Sequence, residues 1–188
     1  MTAPRPQGTR ARVAVTVYAI TLVGLFGVSA TYHRVDWRSL SARRWMRRLD
    51  HSMIFMLIAG TYTPLALLAL HGPLGTATLI AVWAGALAGV VFKLVWIDAP
   101  TWRFAVAYVA LGWVAAAAVP QLAVAIGLGG LTLFGLGGVL YTVGAVVYAV
   151  GRPDPVPGVF GYHEVFHALV IVAAALQYAV IAFWVVPH

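Results

Sequence analysis

The amino-acid sequence predicts an all-α integral membrane protein with six transmembrane helices, and two observations carry that prediction. Hydrophobic residues make up 62% of the 188-residue chain and charged residues only 9%, against about 45–50% and about 25% in ordinary soluble chains. So few charges cannot clothe a water-facing surface. The apolar residues also fall into six runs, each near the roughly 20 residues that a helix needs to cross the hydrocarbon. A soluble enzyme, a disordered chain and a coiled coil are excluded.

The first span, 12–33, follows a short polar and basic segment, 1–11, and ends in SATYH. Val28-Ser29-Ala30 resembles a signal-peptide cleavage site. However, the apolar run before it is long for such a peptide, so the segment reads as a span. The second span, 50–70, opens at Asp50 and carries Pro64, which should kink it. His71-Gly72-Pro73 separates it from the third, 74–97, where Gly85 and Gly89 form a GxxxG that allows close helix approach. Asp98-Ala99-Pro100 precedes the fourth, 102–126, with Pro120 as a second kink, and the glycine cluster 127–130 precedes the fifth, 129–150. A Pro- and Gly-rich stretch leads to the sixth, 162–186. No repeat or separate soluble region interrupts 12–188, which reads as one transmembrane domain.

The net charge of +7 does not point to nucleic acid, because the basic residues cluster where membrane orientation requires them. Arg34, Arg38, Arg43, Arg44, Arg47 and Arg48 lie between the first two spans. Arg103, Arg152 and Lys93 join them on the same side, against Arg5, Arg10 and Arg12 at the N-terminus. The positive-inside rule then places the odd-numbered loops in the cytoplasm and both termini outside. Lys93 should snorkel to the interface. Trp37, Trp45, Trp96, Trp102, Tyr162 and Trp184 read as interface anchors.

Ionisable groups within spans are costly and mark function. Ser29 and His33, spaced i, i+4, share a helix face at the end of span one. Asp50 opens span two, and His163 and His167, again i, i+4, open span six in HEVFH. Each has a plainer reading. His33 alone is an interfacial histidine, Asp50 a helix N-cap facing Arg47 and Arg48, and Ser29 a back-bond to the Leu25 carbonyl. The topology changes the balance, because it sets all five at one depth near the cytoplasmic face. With no cysteine in the chain, three imidazoles and a carboxylate suit zinc, with His33, His163 and His167 as ligands and a fourth position open. His51 should face the headgroups, Glu164 should pair with an arginine, and His71 and His188 lie on the outer side.

SATYH, LDHSMIFMLIAGTYTP and HEVFH, in that order and spacing, resemble the hemolysin III branch of the progestin and adipoQ receptor family. VWAGALAGVVFK and LYTVGAVVYAVGRP fit it too. That family includes the adiponectin receptors and is distantly related to the alkaline ceramidases. The resemblance implies a seven-helix bundle with zinc near the cytoplasmic face of a bacterial plasma membrane. Its Ser-x3-His motif falls on Ser29 and His33, its span-opening Asp on Asp50, and its His-x3-His on His163 and His167. By the same resemblance Asp50 would reach the metal through water, with Ser29 hydrogen-bonded at the site. The family's usual first helix has no counterpart ahead of span one, as expected either of a true six-span protein or of a chain that starts downstream of the native start.

The function expected is zinc-assisted hydrolysis of a lipid amide or ester, with membrane lipid as the partner. Asp50 would act as general base and Ser29 would position the water or oxyanion. Two rivals stand beside it: a receptor-like or regulatory protein with structural zinc, and a membrane-perturbing or pore-forming protein. The outer loops are short for a receptor's ligand surface, and no ring of polar residues lines several spans as a pore requires.

Overall fold

The structure, a computed structural model, describes residues 7–186; Arg5 and His188 fall outside them. In chain order it has α1 (Gln7–Arg34), α2 (Leu40–Pro64), a π turn (Leu65–Ala69), α3 (Gly72–Val95), α4 (Thr101–Gly112), a 3-10 stretch (Trp113–Ala118), α5 (Val119–Val150) and α6 (Tyr162–Val180), which runs on as a π turn (Ile181–Val185). An isolated bridge, Val156 to Phe160, is the sole β pairing among the described residues. The all-α membrane architecture is therefore present.

Among the described residues, five helices are long and apolar enough to cross a membrane, one of them the 50-residue run Thr101–Val150. At 1.5 Å per residue that run would extend about 75 Å, far beyond a hydrocarbon core of about 30 Å. It does not run straight. Gly127 has φ 64 and ψ 175, outside any helix. The Trp113 indole N–H donates to the Thr142 hydroxyl at 3.0 Å, whereas a straight helix would hold them about 43 Å apart. The chain reverses at Gly127, so this run folds back on itself as two segments. The connection predicted over 127–130 is reduced to one residue, because a glycine tolerates positive φ where other residues do not.

The chain divides into two compact units, Met1–Ile97 and Asp98–His188. In the first, α2 is the buried centre, with Phe55, Leu57, Ala59 and Tyr62 almost inaccessible. Its two faces meet different neighbours. Gly60 lies against the Thr21 side chain and Met53 against Gly24, which seats α1. Phe55 lies against Gly89, and the Trp83 indole donates to Thr63 at 3.1 Å, which seats α3. Gly89, the second glycine of the GxxxG, thus serves close approach inside one chain. Pro64 lacks an N–H, and the helix passes into the π turn directly after it.

α2 starts well before Asp50. Ser39 is its N-cap, accepting from the Ala42 N–H at 3.4 Å. The segment 40–49 holds arginine, leucine, alanine and methionine with no Gly or Pro, so it has helical propensity though it is too charged to read as membrane span. Asp50 is therefore mid-helix, and the N-cap reading fails. Lys93 is 5% exposed and does not snorkel outward.

In the second unit Pro120 sits in the first turn of α5, and the 3-10 stretch precedes it. Gly137 and Gly144 bring α5 close to α6, against Gln177 and against Phe166 and Leu169 respectively. Gly151 ends α5 in the left-handed region at φ 69.

Candidate metal centre

The first unit contributes Ser29, His33 and Asp50. The glycine contacts set α1 antiparallel to α2, with Gly24 level with Met53. One turn along, that register brings Ser29 to Asp50, and the Ser29 hydroxyl hydrogen-bonds the Asp50 carboxylate. Ser29 is thus tied across helices to Asp50. His33, the next residue of that α1 face, lies within electrostatic reach of the same carboxylate and packs edge-on to Tyr32 at 4.7 Å between ring centres. The Trp37 indole donates to the Tyr32 carbonyl at 3.0 Å, tying down the end of α1 beside His33.

His51 does not face the headgroups. Its side chain is only 14% exposed, and Nδ1 lies 2.7 Å from the Arg47 carbonyl and 3.7 Å from Asp50 Oδ2. An imidazole whose Nδ1 donates to a carbonyl one turn back is held as an Nδ1–H tautomer.

The second unit contributes His163 and His167 from the first two turns of α6. Their Nε2 atoms lie 3.0 Å apart. Two nitrogens held at about 2.05 Å from one tetrahedral zinc are separated by about 3.3 Å, so the pair needs little adjustment to share an ion. The start of α6 is fixed by backbone capping. Gly161 N–H donates to Glu164 Oε2 at 2.9 Å, and Tyr162 N–H donates to Asp154 Oδ1 at 2.9 Å. Glu164 therefore caps the helix, and among the described residues no arginine pairs with it. Aromatic rings flank His163, with Tyr148 at 5.6 Å and Phe166 at 6.3 Å.

Ring nitrogens of His33, His163 and His167 form a group that could hold a metal ion. Three neutral nitrogen donors suit zinc. Sequence reasoning missed Tyr148, Asp154 and the capping role of Glu164. Tyr148 lies one turn beyond Gly144, which packs against Phe166, so the small-residue spacing of LYTVGAVVYAVGRP was the available signal. Asp154 leaves no pattern, because its partner is a backbone N–H eight residues on.

Comparison with known proteins agrees with this reading of the motifs. Residues 1–178 match the profile of a family described as Haemolysin-III related. The chain is 32% identical to Hemolysin-3 of Bacillus cereus over 175 residues, covering 93% of this chain and 76% of that protein. It is 31% identical to the Hemolysin-3 homolog of Bacillus subtilis (strain 168) over 174 residues, 93% and 78% respectively. It is also similar to the human monocyte to macrophage differentiation factor, 25% identical over 170 residues, covering 89% of this chain and 68% of that one.

Proposed function

Since this chain belongs to the Haemolysin-III related family and is an integral membrane protein, we propose that it is a zinc-dependent hydrolase acting on a lipid amide or ester within the membrane. The observation that carries the reading is the grouping of three histidine nitrogens as a metal-holding set, in a chain with no cysteine. His33, His163 and His167 would hold the ion. Zinc in such a set supplies a Lewis acid that polarises a carbonyl and brings the pKa of water near 7.

The remaining chemistry falls to Asp50 and Ser29. Asp50 takes the proton of the attacking water and passes it to the leaving amine or alcohol. The Ser29 hydroxyl, already hydrogen-bonded to that carboxylate, restricts its rotation and makes Ser29 a positioning residue. The substrate's acyl chain reaches the site laterally from the lipid, since the helices are apolar on their outer faces. Exposed Ile20, Val23, Ile80, Val91, Ile171 and Val172 mark those faces.

The test is release of free fatty acid from mixed amide- and ester-lipid vesicles by the purified, zinc-loaded full chain, followed by mass spectrometry. Release should stop with a chelator, return with zinc, and be absent in Asp50→Asn. No release from any vesicle by zinc-loaded protein would defeat the reading. A second reading, membrane perturbation, is favoured by the name Hemolysin-3 carried by the B. cereus relative. It predicts leakage of a vesicle-trapped dye that persists in chelator, with no fatty acid produced.

A further inference from the structure

We propose that Arg48, Ser52 and Lys93 form a second site, on the face of α2 opposite Asp50, that binds the phosphate of a membrane phospholipid. At 100° per residue, Arg48, Ser52, Phe55 and Thr63 fall within about 80° of one another around α2. This is the face seated on α3. Asp50, Met53 and Gly60 point to the other side, toward α1.

Two polar atoms on the α3 face are buried without a hydrogen-bond partner, Arg48 Nε and Ser52 Oγ. Ser52 is 4% exposed. A donor so buried costs about 1–3 kcal/mol unless something accepts from it. The antiparallel register supplies a third group. Trp83 stands opposite Thr63 and Gly89 opposite Phe55, so one further turn along α3 brings Lys93 level with Ser52. Lys93 is buried as well. The Lys93 position is thus level with Ser52, and Arg48 follows one turn further along the same face of α2.

Both cationic groups offer donors and no acceptor, so the ligand must be an anion with several acceptor oxygens. Arginine and lysine together match phosphate. The level identifies the source. Lys93 sits in the last turn of α3, which ends at Val95 just before exposed Trp96. On α2 the Arg48 guanidinium lies 4.8 Å from the ring of exposed Trp45. Tryptophans of this kind mark the headgroup layer, where lipid phosphates reside. The ligand is therefore a phospholipid phosphate and not a free one.

The experiment is equilibrium binding of labelled phosphatidylglycerol to the detergent-purified full chain, with diacylglycerol and inorganic phosphate as competitors. Phosphatidylglycerol should bind at least about tenfold more tightly than diacylglycerol, as expected for charge-assisted hydrogen bonds. Arg48→Gln and Lys93→Gln should each weaken it about tenfold, and Lys93→Arg should restore most of the binding. Zinc content and far-UV circular dichroism should be unchanged in all three, which separates this site from the histidine centre and from misfolding. Equal binding of diacylglycerol, or full binding by both glutamine variants, would overturn the proposal. Displacement by inorganic phosphate at a comparable concentration would overturn the lipid assignment.

Discussion

Replacing Ser29 by alanine tests whether the cross-helix hydrogen bond to Asp50 serves the chemistry. The substitution removes one hydroxyl donor from a carboxylate that is itself only 13% exposed, and leaves α1 intact, since alanine is the better helix former. A hydrogen bond to a charged group is worth about 1.5–3 kcal/mol. If the whole of that acts in the transition state, kcat for fatty-acid release falls about 10- to 150-fold at 1.4 kcal/mol per tenfold. Zinc content should stay constant, because Ser29 supplies no ligand. The decisive measurement is the double variant. A residue that acts only through Asp50 adds nothing once Asp50 is asparagine, so Ser29→Ala/Asp50→Asn should be no slower than Asp50→Asn alone. If the two losses multiply, Ser29 contacts the substrate directly and the positioning argument is wrong. If Ser29→Ala loses zinc, the hydroxyl belongs to the metal and not to the carboxylate.

Further outcomes follow from other parts of the molecule. His163→Ala and His167→Ala should each lose most bound zinc by elemental analysis, while His51→Ala, whose ring is engaged by the Arg47 carbonyl, should keep it. A side chain at Gly60 would collide with Thr21, so Gly60→Val should lower the detergent-state melting temperature by the equivalent of about 1–3 kcal/mol. Gly27 has open space around it, and Gly27→Ala should be neutral or raise stability by up to about 1 kcal/mol. Reporters placed at Ser41 and after His188 should lie on opposite sides of the membrane. The same side for both would mean that 101–150 crosses once, against the reversal at Gly127.

The sequence by itself determined the all-α membrane class, because in lipid every backbone N–H and C=O must be satisfied within a helix or closed barrel, and apolar runs of helical length leave few alternatives. It also singled out Ser29, His33, Asp50, His163 and His167, because polar groups stand out against an apolar background. Tertiary structure decided what hydropathy cannot register. The arginine-rich segment before Asp50 is helix, since charge excludes lipid but not helical hydrogen bonding, and this turned Asp50 from a cap into a mid-helix carboxylate. Ser29 found its partner through the glycine contacts of α1 and α2, a matter of shape and register between two surfaces. Glu164 and Asp154 went to backbone N–H groups, whose positions no side-chain pattern encodes. Arg48 and Lys93 read as an orienting charge and a snorkelling lysine until the pairing of α2 with α3 set them on facing helix surfaces, because which residues share a depth and a face is fixed by packing between helices and not by the order of residues along them.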